Sequence, residues 1–356
     1  MKAKPRRGAV VLILSGARAS TSLKSEYPLA GALCAAAVST FQRTIEEVAM
    51  SHILRVSARV LPLFLLLLAL MAATLPTPGH AADQKAPKEG VLLVAFGTSV
   101  PEALPSFKAV DASFKAAFPD TPVVWSYTSQ IIRKKLAEQG KPVGGISDGL
   151  AALAEAGVKV ARVQSLHVMP GEEFTELERA VLLDIQKHPG RFEAVYLGRP
   201  LLESHKDALS VAKAVLADMG GKRRKDEAVV LMGHGQAHGR ADLVFEGTRA
   251  TFRESDPLVF MATVEGARGI DDLPAELKAH KVRKVWLQPL MVVAGDHARN
   301  DLAGDGEDSW ASKLKAAGFK VEANLKGLGE VPGVRDLFVD HAKQNVDDLT
   351  KEPKKQ

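Results

Sequence analysis

Three side chains able to bind a metal ion recur at regular intervals in the second half of the chain. His234, Glu265 and His297 are 31 and 32 residues apart, and each lies just past an apolar run. This interval is about the length of one strand and one helix, so the three residues are expected at the ends of successive strands. Two imidazoles and a carboxylate suit a divalent ion such as Co²⁺, Ni²⁺, Fe²⁺ or Zn²⁺ and leave coordination positions for a substrate. The pattern predicts a metal site, whereas any one of these histidines alone is more often structural.

Further polar residues are candidates for the same site, and each also has a simpler interpretation. His238 lies four residues after His234 and is either a second ligand or proton relay, or a solvated residue in a first helical turn. His167 ends a strand of the first half and is followed by Glu172 and Glu173, which either face the site or simply favour a helix N-terminus. The remaining histidines have polar surroundings and are predicted at the surface: His188, His205, His280 and His341.

The elements that must position these residues alternate between strands and helices. Short apolar runs separated by amphipathic stretches are typical of βαβ units with a parallel sheet. The second half repeats the first, because Val94–Ser99 and Met232–Ala237 align as strand ends that run into polar turns. We therefore predict an α/β fold of two similar βα domains, each a parallel sheet flanked by helices, with the active-site cleft between them. The predicted strands lie at 90–99, 122–125, 158–163, 194–197, 228–235, 257–262, 284–287 and 320–325.

The sequence lacks the motifs that are typical of several other kinds of enzyme and binding protein. The chain has no Gly-x-x-x-x-Gly-Lys-Ser/Thr loop, no Gly-x-Gly-x-x-Gly after a strand and no Gly-x-Ser-x-Gly elbow, which argues against nucleotide binding and serine hydrolysis. The turn Gly97-Thr98-Ser99 is still able to bind an anion through its backbone N–H groups. The basic cluster 133–135 either serves the same purpose or forms a solvated helix face.

Composition and charge exclude further classes of protein. The chain has 356 residues, of which 46% are hydrophobic and 25% charged, as in ordinary globular proteins rather than disordered or polytopic membrane proteins. Its single cysteine, Cys34, excludes a cysteine-rich zinc module, an iron–sulfur protein and a disulfide scaffold. The net charge of +5 comes from residues 1–81, which carry nine basic and three acidic groups. The rest of the chain gives no electrostatic reason to expect nucleic-acid binding.

Residues 50–81 have the layout of a secretory signal peptide. Arg55 and Arg59 precede the apolar run Val60–Ala73, whose 14 residues fall short of the roughly 20 that a spanning helix needs. Small residues then predict cleavage after Ala81. Residues 1–49 fit no targeting pattern, so Met50 is an alternative start of the chain. We expect a periplasmic protein with no membrane anchor after cleavage, an N-terminal α/β domain at 82–220 and a C-terminal α/β domain at 226–350 that carries the metal site.

Several segments together resemble one family of enzymes. The last of them, rich in Gly, Asp and Asn, is the most specific, and the similarity extends over about residues 88–345. The segments that carry the resemblance are Leu93–Ser99, Thr128–Leu136, Gln164–Glu173, Leu231–Gly235 and Val293–Asp301 with Asp305–Trp310. Through them the chain resembles the anaerobic sirohydrochlorin cobaltochelatases of the CbiK type.

The resemblance implies a chelatase fold with a tetrapyrrole cleft, and insertion of Co²⁺ into sirohydrochlorin without ATP on the route to cobalamin. Fe²⁺ is implied as a second metal, which would give sirohaem, and haem binding is left open. The family's metal ligands correspond to His234, Glu265 and His297, and His234 is also implied as the base that takes pyrrole protons. Thr98, Ser99 and Arg299 are the candidates for binding the substrate's carboxylates. A homo-oligomer is compatible with this interpretation.

Two other interpretations stay open at this point. A periplasmic carrier of a metal or of a finished tetrapyrrole such as haem would use the same three ligands and the same cleft without turnover. A generic two-domain solute-binding protein would have no metal affinity, and the ligands at the strand ends give it little support. The predicted export also makes cobalamin synthesis a questionable physiological role, because the substrates of that pathway are made in the cytoplasm.

Overall fold

The computed structural model describes residues 87–236 and 241–351. The signal peptide, the N-terminal extension and His238 lie outside this part of the chain. In the first half, four strands form a sheet in the spatial order β2-β1-β3-β4, and all neighbouring pairs are parallel. The strands are β1 (Glu89–Ala95), β2 (Val123–Tyr127), β3 (Val160–Ser165) and β4 (Ala194–Gly198).

The second half repeats this arrangement. Four parallel strands form a second sheet in the order β6-β5-β7-β8, which is the order of the first sheet shifted by four. All eight strands coincide with predicted apolar runs, so the prediction of two similar βα halves is confirmed. The strands are β5 (Ala228–Gly233), β6 (Val259–Thr263), β7 (Lys284–Pro289) and β8 (Lys320–Ala323).

Nine α-helices within the described residues connect these strands and cover the sheets. Three of them begin at a serine, Ser129, Ser204 or Ser309, whose side chain accepts a hydrogen bond from the first turn. No helix in the described ranges is both long and apolar enough to cross a membrane. The helices are α1 (Leu104–Ala117), α2 (Gln130–Glu138), α3 (Ile146–Glu155), α4 (Glu172–Lys187), α5 (His205–Asp218), α6 (Ala241–Ser255), α7 (Leu273–Ala279), α8 (Trp310–Ala316) and α9 (Pro332–Lys343).

One face of each sheet contributes to a shared hydrophobic core. Val91 and Leu93 of β1 belong to the same buried cluster as Val229 and Leu231 of β5. Because successive side chains of a strand point to opposite faces, the intervening residues enter two separate outer cores. Leu92 and Val94 pack in one of these, and Val230 and Met232 pack in the other.

The last helix does not stay with the second sheet. Helix α9 contacts α1, α5, β3 and β4 of the first half, a crossover that the predicted second domain of residues 226–350 does not include. His341 on this helix is buried, with Nδ1 3.1 Å from the carbonyl oxygen of Arg199 and Nε2 3.4 Å from Asp207 Oδ1. The prediction that His341 lies at the surface is therefore wrong, because the helix that carries it covers the first sheet.

Residues 344–351, which we call the C-terminal strap, continue from α9 along the edge of β4. Leu197 N–H donates to the Asp347 carbonyl at 3.0 Å, and Leu349 N–H donates to the Val195 carbonyl at 2.8 Å. The Asp347 carboxylate also pairs with Arg199 at 2.6 Å. The strap thus supplies hydrogen-bond partners to an edge strand that would otherwise expose unpaired backbone groups.

Removal of residues 344–356 is expected to lower the free energy of unfolding by about 2–4 kcal/mol, because it deletes backbone hydrogen bonds and an ion pair at once. The measurement is urea unfolding of the full chain and of the truncated chain. The control is Lys351→Ala, which removes only the ion pair between the exposed Lys351 and Asp348 and should change stability by less than about 1 kcal/mol. Equal stability of the truncated and full chains would contradict this role of the strap.

Candidate metal centre

Two of the predicted metal ligands lie at the carboxyl ends of neighbouring strands. His234 directly follows β5, and Glu265 lies two residues after β6. The backbone joins the two positions, because the His234 carbonyl accepts hydrogen bonds from Val264 N–H at 3.1 Å and from Glu265 N–H at 2.9 Å. The two loops therefore approach each other as closely as strands in a sheet.

Gly235 makes this approach feasible. Its φ is +82°, and a Cβ at this position would lie 2.5 Å from the backbone nitrogen of Gly266 in the neighbouring loop. Thr263 secures the other side of the turn, since its hydroxyl accepts from Gly266 N–H and donates to the Arg268 carbonyl, both at 3.1 Å. Only glycine combines a positive φ with the absence of a side chain at such a contact.

At this edge of the second sheet, His234 lies close to each of the other two predicted ligands. Nδ1 of His234 lies 3.9 Å from Oε2 of Glu265, and the rings of His234 and His297 meet edge to face with their centroids 5.0 Å apart. Their side chains are 49%, 52% and 41% exposed, respectively. Such exposure leaves the group accessible to a hydrated ion and to a second reactant.

Hydrogen bonds at Nδ1 orient both imidazoles in the same sense. His234 Nδ1 lies 3.1 Å from the Gly235 carbonyl, which only accepts, so Nδ1 carries the ring proton in this contact. His297 Nδ1 lies 2.5 Å from Asp301 Oδ2. A metal-binding histidine commonly donates its other ring nitrogen to a carbonyl or carboxylate, which leaves Nε2 with the lone pair that binds the ion.

Asp301 is a residue that sequence reasoning did not assign to the site. It lies on the π-helical turn Ala298–Leu302, one turn beyond His297. The four-residue spacing of a histidine and an aspartate was the signal available in the sequence, because residues i and i+4 share one face of a helical turn.

The side chains of His234, Glu265 and His297 are not close enough together in this structure to coordinate one metal ion. Across residues 87–236 and 241–351, no three His, Cys, Asp or Glu side chains converge closely enough to hold a metal ion. The pairwise contacts of His234 with Glu265 and with His297 are present, and metal binding by all three stays a prediction.

A second polar group lies on the first sheet. His167 follows β3 and is buried, which lowers the pKa of its imidazole to about 4. Glu173, at the start of α4, accepts a hydrogen bond of 2.8 Å from the Thr128 hydroxyl. Partial burial raises the pKa of the Glu173 carboxyl above its ordinary value, whereas the positive charge that His234 can carry acts in the opposite direction. Glu173 thus lies within electrostatic range of His234 in the second half.

One side-chain hydrogen bond links the two halves beside this group. Gln236 follows the His234 loop, and its Nε2 donates to Oε2 of Glu172 at 3.0 Å. Both sheets therefore turn the carboxyl ends of their strands toward one shared region, as expected for a site between two parallel α/β units. Two interpretations were open for Glu172 and Glu173. Glu172 contacts the second half through Gln236, and Glu173 contacts Thr128 of the first half.

The residues predicted to bind substrate carboxylates lie in two loops. Thr98 is buried and its hydroxyl accepts from Val100 N–H at 3.1 Å, while Ser99 beside it is half-buried. A Cβ on Gly295 would lie 3.9 Å from the Thr98 hydroxyl, so the loop after β7 comes close to the loop after β1. Arg299 is half-buried in the π-helical turn, and its Nε has no hydrogen-bond partner among the described residues. Carboxylate binding by these three residues stays a prediction.

A surface pocket of about 440 Å³ lies elsewhere. It is at the amino end of β4 and contains none of the candidate site residues. Ligands of parallel α/β sheets bind at the carboxyl ends of the strands, so this pocket is not the candidate site. Its lining includes Asp184, His188, Arg191 and Thr350.

Comparison with known proteins identifies the family of this chain. The model of the family described as "Cobalt chelatase (CbiK)" matches residues 89–347, which is most of the chain. The chain belongs to the CbiK cobalt chelatase family. Among curated CbiK relatives, the sirohydrochlorin cobaltochelatase CbiKC of Nitratidesulfovibrio vulgaris is 36% identical over 254 residues, covering 71% of this chain and 89% of the relative. The sirohydrochlorin cobaltochelatase of Salmonella typhimurium is 34% identical over 265 residues, covering 72% of this chain and 96% of the relative.

Solved structures support the fold of this CbiK family member. SirB from Bacillus subtilis with Fe³⁺ aligns with a TM-score of 0.53 at 17% identity, over 71% of this chain and 94% of SirB. The sirohydrochlorin chelatase SirB from Bacillus subtilis subspecies spizizenii, in complex with cobalt, aligns with a TM-score of 0.50 at 17% identity, over 72% and 94%. The predicted two-domain, chelatase-like α/β fold is therefore confirmed.

The Gly235→Ala variant is expected to separate the two loops while the rest of the sheet stays folded. Alanine at a positive φ, with its Cβ against Gly266, should cost about 1–3 kcal/mol and reduce Co²⁺ affinity roughly tenfold or more. Isothermal titration with Co²⁺ and thermal unfolding measure the two effects. Gly247→Ala is the matched control, because a Cβ there meets nothing within 4 Å inside helix α6. Unchanged Co²⁺ affinity in Gly235→Ala would show that the loop contact does not support the site.

Proposed function

We propose that this protein inserts Co²⁺ into sirohydrochlorin without ATP, with Fe²⁺ as a second metal substrate. The observation that carries the proposal is the contact of His234 with both Glu265 and His297 beside the carboxyl ends of the second sheet's strands. Two curated relatives of comparable length, at 34% and 36% identity, are sirohydrochlorin cobaltochelatases. The family membership supports the reaction, and these contacts support the proposal that the metal is bound at the second sheet.

The metal would be received by nitrogen and oxygen ligands that keep it exchangeable. The Nε2 atoms of His234 and His297 offer neutral lone pairs, and Glu265 offers a negative charge that offsets part of the dication's charge. Imidazole and carboxylate suit Co²⁺ and Fe²⁺ without the strong retention that thiolates give to softer ions. The half-exposed side chains leave open the coordination positions that the pyrrole nitrogens must take over.

Insertion must also remove two protons from the free-base macrocycle. Each pyrrole N–H bond breaks as its nitrogen lone pair turns to the metal, so the site needs proton acceptors near the ring. His234 is the first candidate, because the Nε2 lone pair that first binds the metal becomes free to accept a proton once the metal has passed to the ring. Glu173 is the second, because its raised pKa makes the carboxylate a stronger base than an ordinary glutamate.

The carboxylates of sirohydrochlorin need donors at the rim of the site. Arg299 offers a guanidinium on the turn that follows His297, and its buried Nε lacks a hydrogen-bond partner among the described residues. Thr98 and Ser99 offer hydroxyl hydrogens on the loop of the opposite sheet. Donors on both loops would hold a large anionic ring across the two sheets.

The His234→Ala variant is expected to lose metal insertion and keep tetrapyrrole binding. Purified protein is mixed anaerobically with sirohydrochlorin and Co²⁺ or Fe²⁺, and loss of the free-base absorbance is followed against the uncatalysed rate. Removal of a ligand and base should reduce the rate by roughly 10²-fold or more. The control is His205→Ala, which alters an exposed histidine at the start of α5.

Two results of this assay would contradict the proposal. If the unaltered protein binds sirohydrochlorin with a spectral shift but inserts no metal above the uncatalysed rate, the protein is a tetrapyrrole carrier. If His234→Ala inserts metal as fast as the unaltered protein, the metal and proton roles assigned to His234 are wrong.

We also propose that the protein acts in the periplasm after cleavage behind Ala81. The support is the basic, apolar and small-residue order of residues 50–81. Expression in a Gram-negative host, cell fractionation and mass spectrometry of the N-terminus should yield a periplasmic chain that begins at Ala82. Arg55→Glu with Arg59→Glu should retain the longer chain in the cytoplasm, since export needs the positive segment. An uncleaved cytoplasmic chain from the unaltered gene would overturn this proposal.

A further inference from the structure

The imidazole of His167 is buried beside the proposed site, and one of its two ring nitrogens lacks a hydrogen-bond partner among the described residues. The residue is only 9% exposed, and its Nε2 is shielded from solvent without a hydrogen-bond partner among the described residues. A carboxylate oxygen, Oε2 of Glu173, lies 4.0 Å from this nitrogen. A buried polar atom without a partner is uncommon in folded proteins and calls for a physical reason.

The contact at the other ring nitrogen, Nδ1, determines which nitrogen of His167 carries the hydrogen. The Ser165 hydroxyl lies 2.9 Å from His167 Nδ1 and also accepts from the His167 backbone N–H at 3.2 Å. Ser165 is fully buried, and its hydroxyl forms no other hydrogen bond in the described part of the chain. Since its own hydrogen needs an acceptor, the hydroxyl donates to Nδ1. The neutral ring therefore carries its hydrogen on Nε2, the nitrogen that faces Glu173.

The ring stays neutral under ordinary conditions. Burial lowers the pKa of His167 to about 4, so near neutral pH the imidazole does not gain a proton. An N–H group without a net charge still favours the ionised form of a carboxylate that it faces. A separation of 4.0 Å is an electrostatic contact, and a movement of about 1 Å would convert it into a hydrogen bond.

The groups around Glu173 determine the balance between its protonated and ionised forms, and the His167 N–H group acts on this balance. Glu172 and Glu176, on the same helix, and partial burial favour the protonated form of Glu173. The Thr128 hydroxyl, at the end of β2, and His234, at the end of β5, favour the ionised form. His167 faces the same carboxylate from the end of β3 and adds to the second group of influences.

We propose that His167 is a positioning residue that directs a neutral Nε2–H at Glu173 and keeps this carboxylate ready to accept a pyrrole proton. The proposal rests on the proposed function, in which Glu173 is the second proton acceptor. One N–H bond of the macrocycle breaks, one O–H bond forms on Glu173, and the nitrogen keeps the electron pair that binds the metal. The proton then leaves to water through the exposed part of the glutamate side chain, and His167 neither gains nor loses a proton.

The central test measures Glu173 without any turnover. The side-chain carboxyl carbons of glutamate are labelled with ¹³C in the full chain, and the Glu173 signal is assigned by its absence in Glu173→Gln. His167→Phe, which keeps a ring without the donor, should move the Glu173 titration to higher pH by about one unit. His167→Gln, which restores an N–H donor, should return it toward the unaltered value. An unmoved Glu173 titration in a folded His167→Phe variant would overturn the proposal.

The tautomer has its own measurement, which stays informative if His167→Phe does not fold. In ¹⁵N-histidine-labelled protein, the His167 signals should show a bare Nδ1 and a protonated Nε2, and Ser165→Ala should weaken this preference. A protonated Nδ1 in the unaltered protein would overturn the proposal, because Nε2 would then face Glu173 with a lone pair.

Activity provides the final readout. In the anaerobic assay, the acid limb of the pH profile of kcat/KM should move to higher pH by about one unit in His167→Phe, a roughly tenfold loss on that limb. His167→Gln should recover it, and Co²⁺ affinity should not change. If the unaltered protein has no chelatase activity, the proposed function fails while the NMR experiments still decide whether His167 controls Glu173. A uniform loss at all pH values would assign His167 a structural role and overturn the proposal.

Discussion

The close contact between the loops after β5 and β6 is the constraint on which the site depends. One carbonyl, that of His234, accepts hydrogen bonds from Val264 and Glu265, and this contact requires a residue without a side chain at position 235. Backbone hydrogen bonds between the two loops thus bring an imidazole and a carboxylate close together, although these two side chains form no hydrogen bond with each other. Their side chains remain half-exposed and able to turn toward an ion. A site that must accept a metal and then release it benefits from this combination of fixed backbone and unbound side chains.

The two halves share an architecture and divide the chemistry. Both sheets have the same strand order and contribute one face to a common core, which fixes their carboxyl ends toward the same region. The second sheet carries the proposed metal ligands, whereas the first carries Glu173 with Thr128 and His167. The proposed metal ligands and the second proposed proton acceptor, Glu173, therefore lie in separate halves. This separation suits a reaction in which an ion enters a flat ring while protons leave it.

Much of this arrangement could be predicted from the sequence, because it follows from local pattern. Continuous apolar runs mark buried parallel strands, and all eight were located in this way. The positions of His234 and Glu265 follow from strand ends alone. Helix α5 has a local signal as well, in its buried apolar residues at 208, 211, 212 and 215. The destination of α9 and the burial of His341 had no local signal, since they depend on contacts between distant parts of the chain. The His167 tautomer likewise depends on a hydroxyl direction that only three-dimensional contacts reveal.

The return of α9 and the strap to the first sheet has a consequence for how the chain matures. A ribosome makes the first half long before the residues that cover β3 and the edge of β4 leave the exit tunnel. Domains generally fold as units, the N-terminal one first, during synthesis. Here the first sheet lacks its final helix until translation ends, so this half cannot complete its core as a nascent chain. The two halves should acquire their native state together, in a late step that joins α9 to α1, where Arg335 contacts Ser113 across 222 residues of chain.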